Sequence, residues 1–481
     1  MLKGIVTLLK IEVKMARKTS LIKNTFIYAI GNLGTKFIGF FMLPFYTAHL
    51  SKSEYGYFDL VLVLVSLFVP LISFQIQDGL YRFLIEQKDD KNKGLQIFNS
   101  LFAVVLNLVV FNFLSILIIS YTNFNIQYQT TIIIFFNLSI IWGQIAQISR
   151  GLNKKLVYSL AGLTNAILIA LFSLIFISYF HLGVEGILYG YIIAYAFSIL
   201  YIVFSIKIWR YLKYSKFDFS IWKRTIMYSL PLVPNIVNWW VMNMFDRLFI
   251  NYYLSIDANG LYAVANKFPS LVLMLNTIFN LAWQDSAIEH YNSVNKNKYY
   301  SRTFNKLFVL QLTSVFVLIA LTKPMLIILV DEAYFESWKY VPFLYIAMVF
   351  SAFSSFYGVG FQASKQTKGA FSSSIIGSVI NIALNALLIP VIGLQGAALS
   401  TMLAFLMMWI IRIYQTKKYF YISVSKKNIL ITFISLIFVL ILYYLNMVLT
   451  DSILILFSLI LFIIMNKDFL RSLISRLRKG K

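Results

Sequence analysis

Long apolar stretches alternate with short polar loops along the whole chain of 481 residues. Each stretch holds about 20 mainly apolar residues, the length that a helix needs to cross the hydrocarbon core of a bilayer. The stretches predict helical spans at 22–48, 57–81, 95–121, 128–149, 156–180, 184–208, 225–253, 260–286, 303–330, 340–363, 369–391, 394–414, 428–449 and 452–466. The pattern therefore predicts an all-α polytopic membrane protein with about 14 transmembrane helices.

Basic residues in the loops predict the orientation of these spans. Of the 42 lysines and arginines, all but six fall in segments that share one side when both termini are cytoplasmic. The exceptions are Lys52, Lys323 and Lys339 in outer loops and Lys36, Arg247 and Lys267 within spans. Because cytoplasmic loops of membrane proteins are enriched in lysine and arginine, the bias supports the span count and predicts cytoplasmic termini.

Composition excludes several kinds of chemistry. The chain is 60% hydrophobic and has no cysteine, which excludes disulfides and thiolate chemistry. Its three histidines are far apart and indicate no metal site. The net charge of +24 lies in short loops between spans, so a nucleic-acid partner is not expected. No cofactor is predicted, and the loops leave no room for a catalytic domain, so the chain is not predicted to be an enzyme.

Internal similarity relates the first half of the chain to the second. The stretch "TFIYAIGNLG" (Thr25–Gly34) aligns with "TIMYSLPLVP" (Thr225–Pro234), and further matches follow in order. These pair Leu50–Gly56 with Leu254–Gly260, 98–102 with 304–308, Ser149–Gly162 with Ser364–Gly377, and 183–186 with 393–396. The repeated unit holds six helices, an even number, so both copies insert in the same orientation. We expect two parallel six-helix bundles with a V-shaped central cavity, an architecture that suits alternating access.

The repeat also predicts the domain boundaries. The predicted divisions are a cytoplasmic interfacial segment 1–20, a first bundle 21–210, a cytoplasmic linker 211–224, a second bundle 225–415, and a segment 416–481 with two extra transmembrane helices and a basic cytoplasmic tail. Gly31 and Gly34 in the first span align with Pro231 and Pro234 in the seventh. Both residue types weaken a helix, so we predict hinges that bend as the cavity changes sides.

Residues 23–84 resemble the opening of a known transporter family. The marks are the "KNT" start, "LPFYTAHLSKSEYGYFDL" between the first two spans, and "GLYRF" (Gly79–Phe83) at the end of the second. This stretch is similar to polysaccharide-repeat-unit flippases of the multidrug/oligosaccharidyl-lipid/polysaccharide exporter superfamily. The resemblance implies transport of undecaprenyl-diphosphate-linked oligosaccharides from the inner to the outer leaflet of the bacterial plasma membrane. Membrane lipids, a polysaccharide polymerase and glycosyltransferases are the further partners expected.

Lys36 is the first candidate for binding this cargo. It lies near the middle of the first span, too far from either end to reach the membrane surface easily. A cation at that depth would stabilise an anionic diphosphate by charge-assisted hydrogen bonds. The alternative interpretation is a lysine that pairs with a buried acid, such as Asp78.

Further charged residues occur at or near the ends of spans. Arg82 is predicted either as a first contact for the diphosphate or as the partner of Asp78 in a local ion pair. Arg247 and Lys267 are candidate substrate contacts, with snorkelling to the outer surface as the alternative. Asp78 and Asp246 are candidates for proton or sodium coupling, because acids within spans are functional candidates by default.

Polar amides and aromatic rings within spans are candidates for sugar contacts. Amide side chains such as those of Gln75 and Gln77 suit sugar hydroxyls, but they can also hold helices together. Trp239, Trp240 and Trp283 could stack on sugar rings, although most aromatic residues here are expected to face lipid.

Three other functions compete with flipping of an oligosaccharide repeat unit. A lipid II flippase would have the same fold but should show several arginines in the first two spans. A cation-coupled multidrug exporter should have mainly acidic residues in its cavity, whereas basic residues equal or outnumber them here. A membrane glycosyltransferase or polymerase is disfavoured by the short loops.

Overall fold

The computed structural model describes residues 34–122, 127–213, 216–364, 366–471 and 475, and every regular element in these ranges is a helix. Residues 34–41 are helical. The α-helices that follow are α1 (Leu43–His49), α2 (Lys52–Ser73), α3 (Ile76–Leu84), α4 (Asp90–Thr122), α5 (Gln129–Gly151), α6 (Lys155–Ser178), α7 (Gly183–Ile206), α8 (Trp209–Leu212), α9 (Phe219–Ser229), α10 (Val233–Met244), α11 (Asp246–Tyr253), α12 (Ile256–His290), α13 (Lys296–Leu329), α14 (Val341–Ala363), α15 (Thr367–Ile392), α16 (Leu394–Thr416), α17 (Lys426–Leu445) and α18 (Val448–Met465). Short 3-10 helices occur at Leu230–Leu232 and Glu332–Lys339.

Within the described residues, 11 helices are long and apolar enough to cross a membrane, which confirms the all-α polytopic membrane fold. Three predicted spans are not among them, each for its own reason. Most of the span 22–48 lies outside the described residues. The span 225–253 is divided into short helices, and the span 260–286 corresponds to α12, whose polar residues lower its mean hydropathy. A helix lies at every other predicted span.

The described residues fall into two compact units. The first contains 34–49 and Val61–Ile236, and the second contains Leu50–Leu60 and the described chain from Val237 onward. α2 therefore begins in the second unit, whereas α9 belongs to the first. In the first unit, α9 is attached to α4 by a hydrogen bond from Gln96 Nε2 to Thr225 Oγ1 (2.9 Å). The first unit therefore lacks the start of α2, which the first predicted bundle includes, and contains α9, which that bundle does not include. The predicted domain boundaries stay predictions.

Two residues break the second predicted span between α2 and α3. Phe74 and Gln75 have φ angles of 49° and 54°, in the left-handed region that costs roughly 1–2 kcal/mol per residue. Asn107 on α4 stabilises the break, because its Nδ2 donates to the Ile72 carbonyl at 2.9 Å. The prediction of one continuous helix over 57–81 is wrong at this point. Gln77, two residues after the break, lines a cavity of the first unit.

The seventh predicted span is interrupted by prolines. Pro231 lies in the 3-10 turn that follows α9, and Pro234 is the second residue of α10. Proline lacks a backbone N–H and clashes with the preceding turn, so these positions disturb the helical hydrogen-bond pattern. A second interruption, at Phe245, separates α10 from α11. The prolines thus lie at an irregular segment, and the hinge movement assigned to them stays a prediction.

Gly56 on α2 and Gly260 on α12 bring two helix backbones into direct contact in the second unit. A Cβ atom at Gly56 would meet the Ile256 carbonyl oxygen, and one at Gly260 would meet the Lys52 carbonyl oxygen. Asn259 Nδ2 donates to the Gly56 carbonyl at 2.8 Å. The internal repeat pairs Gly56 with Gly260. The contact therefore joins equivalent positions of the two copies, and small residues are required at both.

Within the second unit, a buried ion pair joins the last two helices to α13. Lys323 Nζ on α13 lies 2.9 Å from Asp451 Oδ1 on α18 and donates to the Tyr443 carbonyl of α17, also at 2.9 Å. The ammonium group lies 4.7 Å from the centroid of the Trp338 ring. The assignment of Lys323 to an outer loop is wrong, because Lys323 lies within α13, which continues to Leu329, and its side chain is buried.

Candidate cargo-binding site

Lys36 is an exposed cation in the first unit. It lies in the helical stretch 34–41, next to Thr35, and forms no hydrogen bond or ion pair with any described residue. The alternative that it pairs with Asp78 is therefore wrong. Asp78 on α3 is half-buried and interacts electrostatically with Arg150. A cation without a partner in a predicted span is costly, so its charge is open to an anionic ligand.

Arg82 lies on the last turn of α3, and its guanidinium pairs with Glu86 instead of Asp78. The interpretation as an Asp78–Arg82 pair is wrong. The two partners are 51% and 50% exposed, and such exposed pairs contribute about 0–1 kcal/mol to stability. Arg82 can therefore exchange Glu86 for another anion at little cost, and its role as a first contact for the diphosphate stays a prediction.

Arg247 and Asp246 belong to a buried charge cluster in the second unit, where they are 5% and 2% exposed. Arg247 Nη1 lies 2.8 Å from Asp246 Oδ1 and donates to the Asn243 carbonyl at 2.8 Å. Arg247 Nε lies 3.5 Å from Asp59 Oδ2 on α2. The alternative that Arg247 snorkels to the outer surface is wrong, because the protein encloses its side chain.

Both carboxylate oxygens of Asp246 have donors. Oδ1 accepts from the backbone N–H of Arg247 at 3.0 Å as well as from its guanidinium, and Oδ2 accepts from the Tyr262 hydroxyl at 2.6 Å. Thr401 Oγ1 on α16 lies 3.5 Å from Oδ2. A proton or Na⁺ at Asp246 would compete with the Arg247 guanidinium. Ion coupling through Asp246 or Asp78 stays a prediction.

Lys267 and Asp59 complete the charge cluster. Lys267 on α12 is half-buried and interacts electrostatically with Asp59 and Arg247. Together with Asp246, these residues form two acids and two bases, so the cluster is neutral as a whole. Cargo binding by Arg247 and Lys267 stays a prediction that requires these contacts to open. Sequence reasoning missed Asp59, although an acid within the predicted span 57–81 is a signal of this kind.

Of the predicted glycine hinges, Gly31 lies outside the described residues. Gly34 packs closely on α6, because a Cβ atom there would lie 2.7 Å from Leu163 Cδ1. A larger residue at Gly34 would therefore displace the end of the Leu163 side chain, and the hinge role stays a prediction.

A cavity of about 370 Å³ lies inside the first unit. It is lined by 34–41, α3, α5, α6 and α7. Its polar and aromatic lining includes Gln77, Gln147, Ser159, Asn165, Trp142 and Tyr195. No charged side chain occurs among the described lining residues. Sequence reasoning singled out only Gln77, because the other residues come together through packing of α5, α6 and α7.

Arg412 on α16 is a further buried cation of the second unit, and it is 2% exposed. Its Nη1 donates to the Ser354 carbonyl at 2.7 Å, and its Nε lies 2.9 Å from Ser373 Oγ. Its Nη2 donates to Ser374 Oγ at 3.0 Å. A Cβ atom at Gly358 would lie 2.8 Å from Nη1. The assignment of Arg412 to the cytoplasmic basic residues is wrong, because it lies within the predicted span 394–414 and within α16.

The position of Arg412 corresponds to the cavity of the first unit. The alignment that pairs Ser149–Gly162 with Ser364–Gly377 places Ser159 opposite Ser374, and its extension places Gly143 opposite Gly358. Ser159 and Gly143 line the cavity, whereas Ser374 and Gly358 contact the guanidinium. By this alignment, the positions that line the open cavity in the first unit contact an arginine side chain in the second.

Comparisons with known proteins agree with this fold. The sequence profile of the family described as polysaccharide biosynthesis protein matches residues 21–286. A comparison with curated protein sequences finds no significant match.

Solved transporter structures are similar to the chain over most of its length. The structure described as lipid II flippase MurJ in an inward closed conformation is 16% identical, covers 94% of this chain and 100% of its own, and gives a TM-score of 0.71. An inward-facing multidrug resistance MATE family transporter of the MOP superfamily is 13% identical, covers 81% of this chain and 98% of its own, and gives a TM-score of 0.67. At these identities the similarity shows the fold alone.

Proposed function

The chain belongs to the polysaccharide biosynthesis protein family, and from this premise we propose that it flips polyprenyl-diphosphate-linked oligosaccharide repeat units across the membrane. The cargo moves from the cytoplasmic to the outer leaflet by alternating access, for synthesis of a cell-surface polysaccharide. The family match over 21–286 is the observation that carries the proposal. The transporter fold of the two similar structures supports it.

Lys36 has the chemistry that an anionic lipid head group requires. A diphosphate must cross about 30 Å of hydrocarbon, where its charge is costly. An ammonium group without a described partner provides charge-assisted hydrogen bonds at that depth without first breaking an ion pair. Arg82 supplies a second cation whose exposed partner is easily exchanged. We assign Lys36 to the cargo during crossing and Arg82 to its first contact.

We assign Arg247 and Lys267 to a later step of the transport. Their charges are matched by Asp59 and Asp246 in the described structure. They contact cargo only after these ion pairs open. Coupling by a proton or Na⁺ belongs to the same step, because the Arg247 guanidinium must leave Asp246 Oδ1 before another cation takes its place.

A cation-coupled multidrug exporter is less well supported. Its cationic cargo would require unpaired acids, but Asp246 is bonded by Arg247 and Tyr262, and the cavity of the first unit has no charged residue in its described lining. A lipid II flippase remains the alternative with the most similar chemistry. Removal of the gene distinguishes it, because loss of a lipid II flippase stops cell-wall synthesis, whereas loss of a repeat-unit flippase removes only the surface polysaccharide.

The test of the function is the location of the lipid-linked intermediate in the cell. We expect that removal of the gene leaves the undecaprenyl-diphosphate-linked oligosaccharide in the inner leaflet of the plasma membrane, out of reach of a membrane-impermeant glycosidase. Restored expression should return it to the outer leaflet. Equal accessibility with and without the gene would contradict the proposal.

The role of Lys36 is tested in the same assay at matched expression. Lys36→Ala should reduce outer-leaflet accessibility strongly, and Lys36→Arg should retain part of it because the positive charge is kept. The control is Lys339→Ala, which removes an exposed lysine that pairs with Glu336. Full activity of Lys36→Ala would remove Lys36 from the mechanism and leave the family assignment intact.

A further inference from the structure

The cavity of the first unit has polar groups without partners. Ser159 and Asn165 are 7% and 5% exposed, and neither Ser159 Oγ nor Asn165 Oδ1 has a hydrogen-bond partner among the described residues. The same holds for Gln147 Oε1 in the same lining. A buried polar atom without a hydrogen bond costs about 1–3 kcal/mol. Three such atoms around one cavity indicate a site that a polar ligand completes.

Aromatic rings form another part of the cavity lining. Trp142 and Tyr195 are nearly parallel, with an interplanar angle of 16° and ring centroids 6.1 Å apart. Both rings line the cavity beside the amide and hydroxyl groups. A sugar ring presents apolar C–H groups on its faces and hydroxyl groups around its edge. Aromatic rings next to amide and hydroxyl groups match both parts of such a ligand.

The absence of charge in the described lining restricts the ligand class. No Asp, Glu, Lys, Arg or His side chain occurs among the described residues that line the cavity. A phosphate or an organic cation would lose its hydration there without gaining an opposite charge. A neutral ligand with many hydroxyl groups avoids this cost, and a volume of about 370 Å³ is within the range of small-molecule sites.

The second unit shows that this space is not required by the fold. Its equivalent position holds the Arg412 guanidinium, which bonds to Ser374 opposite the unpartnered Ser159 of the first unit. The same six-helix repeat is therefore compatible with a filled interior. The first unit keeps an open space with unpartnered polar groups at the matching place, which a ligand-binding role explains.

We propose that the cavity of the first unit binds one neutral sugar residue of the lipid-linked cargo. The site rests on the proposed flippase function, and it separates recognition of the sugar from recognition of the diphosphate. Asn165, Gln147 and Ser159 bond to sugar hydroxyls, and the aromatic faces of Trp142 and Tyr195 contact the sugar ring. The cations assigned to the diphosphate take no part in this selection.

The test compares two lipid probes that carry the same phosphate charge. One is undecaprenyl diphosphate esterified with a neutral hexose, and the other is the ethyl ester, which has no sugar. Binding of each probe to the full chain in lipid nanodiscs gives its Kd. We expect the wild-type protein to bind the hexose ester about tenfold more tightly, the gain expected from one or two hydrogen bonds.

Two kinds of variant separate the sugar site from a general loss of structure. Asn165→Leu combined with Ser159→Ala removes polar groups of the lining. Gly162→Leu instead fills the space, since the nearest side-chain atom to a Cβ at Gly162 is Thr35 Cγ2, 4.0 Å away. Each should reduce the preference for the hexose ester to about twofold or less and leave binding of the ethyl ester unchanged. Ser198→Ala is the control, because its hydroxyl is also buried without a hydrogen-bond partner among the described residues but does not line the cavity.

Each outcome decides between the two proposals. Equal binding of both probes by the wild-type protein, or a retained tenfold preference in both kinds of variant, overturns the sugar site and leaves the flippase proposal standing. An equal loss of binding of both probes in the folded variants also overturns the sugar site, because the cavity would then bind the lipid diphosphate that both probes share. Failure of the wild-type protein to bind either probe overturns the flippase proposal itself.

Discussion

The two units of the molecule differ in how they use the interior of the same repeated scaffold. The first unit contains a cavity whose described lining has no charged side chain and includes polar atoms without a hydrogen-bond partner among the described residues. The second unit holds the Arg412 guanidinium at the matching place and a neutral cluster of ion pairs around Arg247. The predicted repeat thus accommodates an open interior in one unit and an interior filled by an arginine in the other.

The basic residues follow the same division. In the first unit, Lys36 and Arg82 are exposed, and their charges are unpaired or only weakly paired within the described structure. In the second unit, Arg247, Arg412 and Lys323 are buried and held by several acceptors. In the described structure the exposed cations are available to a ligand, whereas the buried ones are bonded to acceptors of the protein. This contrast predicts that equivalent substitutions have different effects in the two units.

The largest expected difference lies between Arg247→Met and Arg82→Met. Arg247→Met leaves Asp246 and Asp59 as buried carboxylates without their partner, which should lower the free energy of unfolding by about 3–5 kcal/mol. Arg82→Met breaks only an exposed pair and should cost about 0–1 kcal/mol. Denaturant unfolding of both variants in the same detergent measures the two effects. Equal losses would show that burial does not distinguish these arginines.

A smaller difference is expected at the position that Arg412 occupies. Arg412→Met leaves the Ser354 carbonyl and the Ser373 and Ser374 hydroxyls without this donor, so stability should fall by about 1–3 kcal/mol. The control is Ile202→Met in the first unit, which the repeat places opposite Arg412. This apolar exchange in a buried site should cost less than about 1.5 kcal/mol. Denaturant unfolding in the same detergent measures both variants. A greater loss of stability for Ile202→Met than for Arg412→Met would contradict the comparison.

The smallest effects are expected at the paired glycines. Gly358→Ala pushes a methyl group against the Arg412 guanidinium, which is fixed by its hydrogen bonds, and should cost about 1 kcal/mol. Gly143→Ala meets the flexible amide end of Gln77 at 2.8 Å beside an open cavity, so that side chain can move and stability should change little. Thermal unfolding midpoints of the two variants test this order. An equal shift would mean that the two interiors are similarly rigid.

Much of the fold could be predicted from the sequence because membrane helices require long apolar stretches. Within the described residues, a helix lies at each predicted span, including α17 and α18 after the repeat. The break at Phe74 and Gln75 could not be predicted, since neither residue is a helix breaker and the break depends on Asn107 of another helix. The interruption near Pro231 was indicated by the proline itself.

The candidate site could be predicted only where one residue was informative by itself. Lys36 was identified because a cation in the middle of an apolar span is unusual. The partners of Arg247 come from α2 and α12 as well as its own segment, and no local pattern connects Asp59 with Tyr262. The cavity could not be predicted for the same reason. Trp142, Asn165 and Tyr195 belong to three helices whose packing creates the space.

The most direct test of the proposed function is flipping by the purified protein. Proteoliposomes are prepared with an undecaprenyl-diphosphate-linked oligosaccharide, and a membrane-impermeant glycosidase outside measures how fast inner-leaflet cargo becomes accessible. We expect faster exposure with the wild-type protein than in protein-free vesicles, and slower exposure with Lys36→Ala than with the wild type. A rate with the wild-type protein equal to that of protein-free vesicles would contradict it.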